Sequence, residues 1–404
     1  MDVRRGLTWF GKSWTALLWV VLGYFWLLWT KVALDHMLPR LAYLFGKSVN
    51  IDPPCQTPEC DFTAFWPAGL LARHGAFNQI YDPARFHAFQ QHLFNLQLGV
   101  DAFFYPPPML LPSALAAYLP FEASFFAWSA ALLLSAILLL RWAGLSWLVI
   151  LAGCLSPAAV WCLELGQIGI VGGAIFVAGL MRALDQPGMA GVLLGFLSLK
   201  PQLGLLAPSV AFARRNLRSA LGFIVCVIAL VGLTTLFFGK SVWGAYFTYG
   251  VQETRAVLNR PFNPHIYMGG GISVFWMLRS FHVGFAFANW VQIVVTGFAA
   301  LTAIWIWRWS DAPTLDRTAA TVLLTLLATP YGYISDMVAG AWVLAALAAR
   351  RGWKIGITDL LFWLWPPFCP LIAIQTGHLF SPLIIMASLL RLMFETAQRK
   401  RQYP

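Results

Sequence analysis

Long apolar runs recur along the whole chain, and they restrict the possible folds more than any other feature. Runs long enough to cross a hydrocarbon core of about 30 Å exclude a soluble fold. Acidic residues are scarce, with 16 Asp plus Glu among 404 residues, and the mean hydropathy is +0.70. Backbone groups in lipid must be satisfied within each segment, and the runs are continuously apolar rather than alternating. We therefore predict an all-α polytopic membrane protein, organised as a single domain over residues 1–404.

The positions of the runs and of the basic residues predict the topology. A first helix is expected at residues 14–34, and Arg4, Arg5 and Lys12 before it place the N-terminus in the cytoplasm. The net charge of +11 is explained by bases at span ends, so no nucleic-acid partner is predicted. In all, we expect about 10–13 transmembrane helices. After the first helix, the expected spans are residues 105–120, 124–141, 145–163, 166–183, 219–238, 284–307, 318–332, 336–349, 357–374 and 378–394.

Residues 35–102 are then extracytoplasmic and form the least hydrophobic part of the chain. Residues 62–74 and 83–97 mix apolar and polar side chains at helical spacing, which predicts amphipathic helices lying on the membrane surface. Such helices could form a platform over an active site or a simple cover. Cys55 and Cys60 lie in this loop, where a disulfide is possible, but two nearby cysteines leave the question open.

Lys200 lies in a segment too short to cross the membrane twice. If Arg182 and Arg214 are both cytoplasmic, the chain enters and returns within residues 188–215. Each arm then has about 12 residues and extends about 18 Å. Irregular backbone at that depth is tolerated where it lines a cavity, so we expect Lys200 to line one. Its cation could bind a lipid-linked phosphate, or it could snorkel to the interface.

Asp61 is a rare acid just beyond the first apolar run. It could act as a general base for an acceptor hydroxyl at the membrane boundary. It could also cap the helix that begins at Phe62, because Asp is a preferred N-cap residue. The two roles are compatible.

Three later segments carry further polar candidates. Gln167, in Gly166-Gln-Ile-Gly, could bind a sugar or phosphate, although a helix start is the favoured interpretation. Arg255, Arg260 and His265 lie in a loop that is extracytoplasmic by span parity, where basic residues indicate an anionic substrate or solvated charges. Tyr331 and Asp336 interrupt two apolar runs and suit sugar hydroxyls or an interfacial turn equally well.

Motifs for other chemistries are missing. The sequence has no P-loop, no Cys/His metal cluster, no Gly-x-Ser-x-Gly elbow and no Rossmann fingerprint. No metal or cofactor is therefore predicted, and a nucleotide-sugar donor is disfavoured. A donor that already resides in the membrane is the expectation.

In their order along the chain, these motifs resemble those of glycosyltransferase family 87. That family consists of GT-C-fold enzymes that use polyprenyl-phosphate sugars, including mannosyltransferases. The resemblance departs from the family where tyrosines are common and this chain has Phe65 and Trp66, and where the late motif is less acidic. The motifs that carry it are Asp61-Phe62 with Phe65, Trp66, Ala68 and Gly69, then Gly75, Tyr81-Asp82, Tyr105-Pro106-Pro107, Gly166-Gln167, Lys200-Pro201, and Pro330-Tyr331 with Asp336.

The resemblance implies transfer of a hexose, by analogy mannose, to a lipid or glycan acceptor at an extracytoplasmic site in the bacterial inner membrane. It implies that Asp61 is the catalytic base and that direct displacement inverts the anomeric carbon. Lys200, with Arg260 or His265, would stabilise the departing phosphate. Substrate binding is expected from Gln167, Tyr105, Tyr331 and Asp336.

The alternative from another class is a transporter or flippase of lipids or lipid-linked sugars. Many helices, broken spans and intramembrane charge are also typical of transporters. Internal repeats between the two halves, which that class favours, are not evident in the sequence.

Overall fold

The computed structural model describes residues 61–94, 102–213 and 217–402, together with scattered positions between residues 23 and 45. The chain divides into two compact units, residues 1–52 and 53–404, so a single domain stays a prediction. In the first unit the described positions are mostly helical, and Lys31 pairs with Asp35 at 2.6 Å. Cys55 and Cys60, for which a disulfide was left open, and the N-terminal bases lie outside the described residues.

The second unit is built from α-helices, and its described residues contain no strand apart from an isolated bridge between Gly271 and Tyr333. The helices are α1 Phe62–Arg73, α2 Phe77–Tyr81, α3 Pro83–Phe94, α4 Leu110–Ala116, α5 Phe121–Trp142, α6 Trp147–Cys154, α7 Pro157–Leu165, α8 Gly169–Met181, α9 Pro187–Phe196, α10 Ala207–Ala213, α11 Leu217–Phe238, α12 Ser241–Ala245, α13 Val251–Asn259, α14 Val274–Ser280, α15 Phe285–Trp309, α16 Thr314–Ala328, α17 Val338–Arg350, α18 Ile357–Thr376 and α19 Ser381–Gln402. Single turns of 3₁₀-helix lie at Pro107–Met109, Leu197–Leu199, Tyr267–Gly270 and Ile334–Met337, and a π-helical turn lies at Tyr246–Gly250.

Four helices in the described part of the chain are long and apolar enough to cross a membrane: α5, α11, α15 and α18. They match four of the predicted spans and confirm a multi-pass membrane protein. Helices α6 and α7 together would make a fifth, but they bend by 60° at their junction. The remaining predicted spans within these residues are shorter or interrupted helices, or, as in α19, not apolar enough. Hydropathy identified these segments as apolar but did not reveal where each helix breaks.

The shorter helices occupy the interior and the long ones surround them. In α16, every residue from Thr318 to Ala328 is buried, and α17 is buried on most of its surface. By contrast, only 33%, 17% and 22% of the apolar windows of α5, α11 and α15 are buried. A helix that is buried all round belongs to a core, whereas exposed apolar faces suit lipid. The protein core therefore lies around α16 and α17.

Gln292 fixes the end of the inner helix α16. Its side-chain nitrogen donates to the carbonyl oxygens of Leu327 and Ala328 at 2.9 and 3.0 Å, and its oxygen accepts from the amide of Phe275. The last carbonyls of a helix have no partner within the helix, so a buried amide here satisfies groups that would otherwise be unpaired. This anchorage holds the loop that starts at Thr329 in a defined place.

The two helices predicted after the first apolar run are confirmed as α1 and α3, but the surface position predicted for α1 is wrong. Nine of its 12 residues are buried, and a Cβ on Gly69 would lie 2.0 Å from the carbonyl oxygen of Ser113. This close approach shows that α1 packs directly on the backbone of α4. The helix is therefore an internal element, and the residue before it, Asp61, is carried into the interior.

Candidate functional site

A cavity of about 600 Å³ lies in the second unit, which is within the usual size range of ligand pockets. Its lining comes from segments that are far apart in the sequence. Six of the eight predicted site residues line it: Asp61, Tyr105, Gln167, Lys200, Arg260 and Tyr331.

Asp61 lies at the start of α1, but its carboxylate does not cap the helix. The amides of Ala64 and Phe65 are bonded to the main-chain oxygen of Asp61, and the side chain makes no capping hydrogen bond. The interpretation of this side chain as an N-cap is therefore wrong. The carboxylate is directed instead to the cavity and to the side chain of Gln167, with which it is hydrogen-bonded.

The surroundings of Asp61 make its carboxyl a weaker acid. Burial raises its pKa to about 6, and the negative charge of Asp336 adds to this shift. The hydrogen bond with Gln167 and the positive charge of Lys200 act in the opposite direction. A carboxyl with a pKa near 6 is a stronger base than an exposed aspartate and is still ionised at neutral pH.

Gln167 connects Asp61 to the rest of the site. Its Oε1 accepts from Tyr105 Oη at 3.1 Å, from Lys200 Nζ at 3.1 Å and from the amide of Ile168 at 3.0 Å. With Oε1 fully used, its Nε2 is the group that donates to the Asp61 carboxylate. Gln167 lies just before the helix that begins at Gly169, which is the helix-start position that the sequence favoured, but its side chain does not cap that helix. The network is an additional role.

Gly166 makes this position of Gln167 possible. It ends α7 with a φ of +70°, and a Cβ there would lie 2.7 Å from Cβ of Phe62. Its carbonyl accepts from the indole of Trp128 at 2.9 Å. Left-handed backbone and this close approach to α1 both require glycine.

Gly166→Ala is therefore expected to lower the melting temperature, through about 1–2 kcal/mol of backbone strain and an added clash with Phe62. Gly377→Ala is the matched control, because Gly377 has a φ of +76° with nothing within 4 Å of its Cβ position. The measurement is thermal unfolding of the purified variants in detergent. Equal losses for the two variants would contradict the close packing of Gly166 on α1.

Lys200 lies where the predicted short arms meet. Helix α9 has 10 residues, a 3₁₀-turn ends at Leu199, and α10 resumes with only seven residues, which confirms the interruption. Lys200 is 3% exposed, and its Nζ lies 2.6 Å from Oδ1 of Asp336. The ammonium group points inward, so the snorkelling interpretation is wrong.

Asp336 lies behind Lys200 and not on the cavity wall. It is 1% exposed, and its Oδ2 accepts from the amide of Tyr333 at 3.1 Å, which caps the turn Ile334–Met337. The predicted turn role is thereby confirmed. The structure does not place this carboxylate in direct reach of a ligand in the cavity.

The cavity wall also carries further cations and tyrosines. Arg260 lines the cavity and is paired with Glu253 at 2.5 Å. His265 is exposed and is not among the lining residues, so the structure does not bring it to the site. Several aromatic lining residues were not singled out from the sequence, and these are Trp161, Tyr246, Tyr267 and Tyr333. Arg255 also lines the cavity and was noted only as one of the basic residues of its loop.

The local backbone around Tyr246 marks it as a candidate site residue. Tyr246 begins the π-helical turn Tyr246–Gly250, and such turns occur often at functional sites. Gly250 packs against the ring of Tyr81, where a Cβ would lie 2.8 Å from the nearest ring carbon. A glycine next to a run of aromatic residues was the available clue, although periodicity alone does not distinguish it from an ordinary helix.

The site combines one base, three cations and several phenols around a cavity of ligand size. Among the described residues, the charged groups on its wall are Asp61, Lys200, Arg255 and Arg260. No group of three His, Cys, Asp or Glu within these residues could hold a metal ion. The arrangement suits proton abstraction from a hydroxyl in the presence of an anionic substrate.

The model of glycosyltransferase family 87 matches residues 103–330, which is more than half of the chain. The match includes Tyr105, Gln167, Lys200 and Arg260, whereas Asp61 lies before it. No curated protein and no solved structure matches the chain significantly. The matched segment supplies most of the cavity wall, and the long apolar helices place the protein in a membrane. The chain therefore belongs to glycosyltransferase family 87 and is a membrane glycosyltransferase.

Proposed function

We propose that this enzyme transfers a hexose, by family analogy mannose, from a polyprenyl-phosphate donor to a lipid or glycan acceptor. The observation that carries the proposal is the position of Asp61, a carboxylate with raised pKa that faces a cavity with three cations on its wall. An acid–base group and positive charge in one cavity meet the two needs of glycosyl transfer from a phosphate.

In the proposed reaction, Asp61 removes the proton from an acceptor hydroxyl as its oxygen attacks C1 of the sugar. The bond between C1 and the phosphate oxygen breaks, and polyprenyl phosphate departs with the electron pair. The leaving group departs as an anion, so no acid is needed to protonate it, unlike in glycoside hydrolysis with its two carboxylates. One direct displacement inverts the configuration at C1.

Positive charge in the cavity supports an anionic donor. Lys200 and Arg260 both line the wall and raise the local potential, even though each has a carboxylate partner. Because His265 lies outside the cavity, we do not retain it as a phosphate ligand. Tyr105 and Tyr331 line the same space, and their phenols suit hydrogen bonds to sugar hydroxyls.

The proposed location is the extracytoplasmic side of a bacterial inner membrane, with the N-terminus in the cytoplasm. Support comes from the basic N-terminal residues and the span order in the sequence. On this side nucleotide sugars are not supplied, which agrees with a donor that diffuses within the bilayer.

Transfer from a labelled lipid donor tests the proposal against a flippase. Full-length protein in liposomes is incubated with radiolabelled polyprenyl-phosphate mannose and a synthetic mannosyl glycolipid, and in parallel with the labelled nucleotide sugar. We expect label in the glycolipid from the polyprenyl-phosphate donor alone. Movement of intact donor between leaflets without glycosylation would favour the transporter, and transfer from the nucleotide sugar would contradict the proposed donor.

The transfer rate is expected to depend on pH through Asp61. The base works only when ionised, and burial raises its pKa to about 6. The kcat should therefore be level above that pH and fall about ten-fold for each unit below it. Lys200 and Asp336 are the charged groups whose fields reach this carboxyl. A kcat that stays constant down to about pH 4.5 would contradict Asp61 as the base.

A further inference from the structure

The three cations of the cavity differ in how their charge is balanced. Lys200 is paired with Asp336 at 2.6 Å and also donates to Gln167. Arg260 is paired with Glu253. For Arg255, the described part of the chain contains no ion pair, although its side chain lines the cavity. Arg255 is therefore the cation with charge available for an incoming anion.

Helix α13 directs Arg255 to the cavity. Val251, Thr254 and Arg255 all line it, and their spacing places them on one face of the helix. Tyr331 Oη donates to the main-chain oxygen of Thr254 at 3.0 Å, which ties this face to the loop after α16. The orientation of the face is thus held from two sides, by the preceding π-helical turn and by Tyr331.

The charge of Arg255 acts within the site. Burial raises the pKa of the Tyr331 phenol to about 12, and the positive charge of Arg255 opposes that shift. Arg255 and Tyr331 both line the cavity, so this positive charge belongs to the same wall as the phenol. Arginine also presents a planar set of donors that matches phosphate oxygens in pairs, which a lysine cannot do.

We infer that Arg255 is the direct ligand of the donor phosphate, and that Lys200 is a positioning residue that acts on Asp61. The inference rests on the proposed function and divides the cations into two roles. The charge of Lys200 is already balanced by Asp336, and two of its three N–H donors are used by Asp336 and Gln167, so Lys200 offers a phosphate little net positive charge. Within the described part of the chain, Arg255 has no such carboxylate partner.

Kinetics of single variants at Arg255 and at Lys200 separate the roles. Arg255→Gln should raise KM for the polyprenyl-phosphate donor by about 10- to 100-fold, since a charge-assisted hydrogen bond is lost, with acceptor KM unchanged within about two-fold. Arg255→Lys should lie between Gln and wild type. Lys200→Gln should lower kcat and shift its pH profile to higher pH. The reason is that the positive charge of Lys200 lowers the pKa of Asp61, and the variant removes that charge. Lys240→Gln, at an exposed lysine that does not line the cavity, is the matched control.

A binding measurement keeps this inference separate from the proposed activity. Polyprenyl phosphate without sugar should raise the melting temperature of wild-type protein and of Lys240→Gln, but much less that of Arg255→Gln. If wild type binds this lipid and transfers no sugar, the proposed function fails while the phosphate site stands. Equal donor KM, or equal stabilisation by the lipid, in wild type and Arg255→Gln would overturn the inference.

Discussion

Asp61→Asn is expected to lower kcat by about 10²- to 10⁴-fold, the usual contribution of a general base. The amide has nearly the same shape as the carboxylate and can still accept from Gln167, but it cannot take a proton from the acceptor. Among the described residues that line the cavity, Asp61 is the one carboxylate. No other carboxylate on the described part of the wall is therefore placed to replace it.

The control for this variant is Asp311→Asn, at an exposed aspartate that does not line the cavity. It should transfer sugar at the wild-type rate. Asp61→Asn should keep the wild-type melting temperature or exceed it, because a buried charge is removed. Retained turnover by well-folded Asp61→Asn would show that another group is the base.

Asp336→Asn is expected to destabilise the protein by about 3–5 kcal/mol, the usual cost of leaving one member of a buried ion pair alone. Lys200 is 3% exposed, so water cannot solvate its ammonium when Asp336 loses its charge. The amide still accepts one hydrogen bond, which retains the cap on Tyr333 or the contact to Lys200. The measurement is thermal unfolding in detergent, followed by size-exclusion fluorescence.

Two controls make the result specific to the buried pair. Asp185→Asn breaks an ion pair in which the Asp185 side chain is 51% exposed and that of Arg182 is 27% exposed. Its loss should lower the free energy of unfolding by at most about 1 kcal/mol. The double variant Lys200→Met with Asp336→Leu removes both charges and should recover most of the stability lost in Asp336→Asn. An Asp336→Asn protein as stable as Asp185→Asn would mean that Lys200 is not held by this pair.

The helix break at Lys200 was predictable from the length of its segment, once Arg182 and Arg214 were both taken as cytoplasmic. Two arms of helical length cannot span the bilayer within residues 188–215, and the structure has the interruption there. The convergence of Asp61, Gln167 and Lys200 could be predicted only through the family resemblance. These residues are far apart in the sequence, and their contacts depend on Gly166, which lets α7 approach α1.

The incorrect predictions have a common cause in packing between distant segments. Helix α1 has the polar and apolar mixture of a surface helix, yet Gly69 lets it pack on the backbone of Ser113 and become internal. Asp61 was a good capping residue by type, but Gln167 draws its carboxylate to the cavity. Periodicity reports which residues prefer burial and does not report which partner covers them.

The sequence also could not show that Arg255 keeps a charge without a carboxylate partner among the described residues. Three basic residues in the segment from Lys240 onward, Arg255, Arg260 and His265, looked alike as candidates for an anion site. Their distinct roles follow from Glu253, which pairs with Arg260, and from the turn that leaves His265 outside. Charge balance at each cation is a property of the folded site.

We propose that Asp61 is the single base for one direct displacement by the acceptor oxygen at this cavity. Asp336 is engaged by Lys200 and does not line the wall, so the described residues offer no second carboxylate for a double displacement. The most direct measurement is the anomeric configuration of the product formed from a polyprenyl-phosphate sugar of known configuration, determined by NMR of the isolated glycolipid. Inversion at C1 is the predicted result. Retention at C1 would contradict a single direct displacement by the acceptor oxygen.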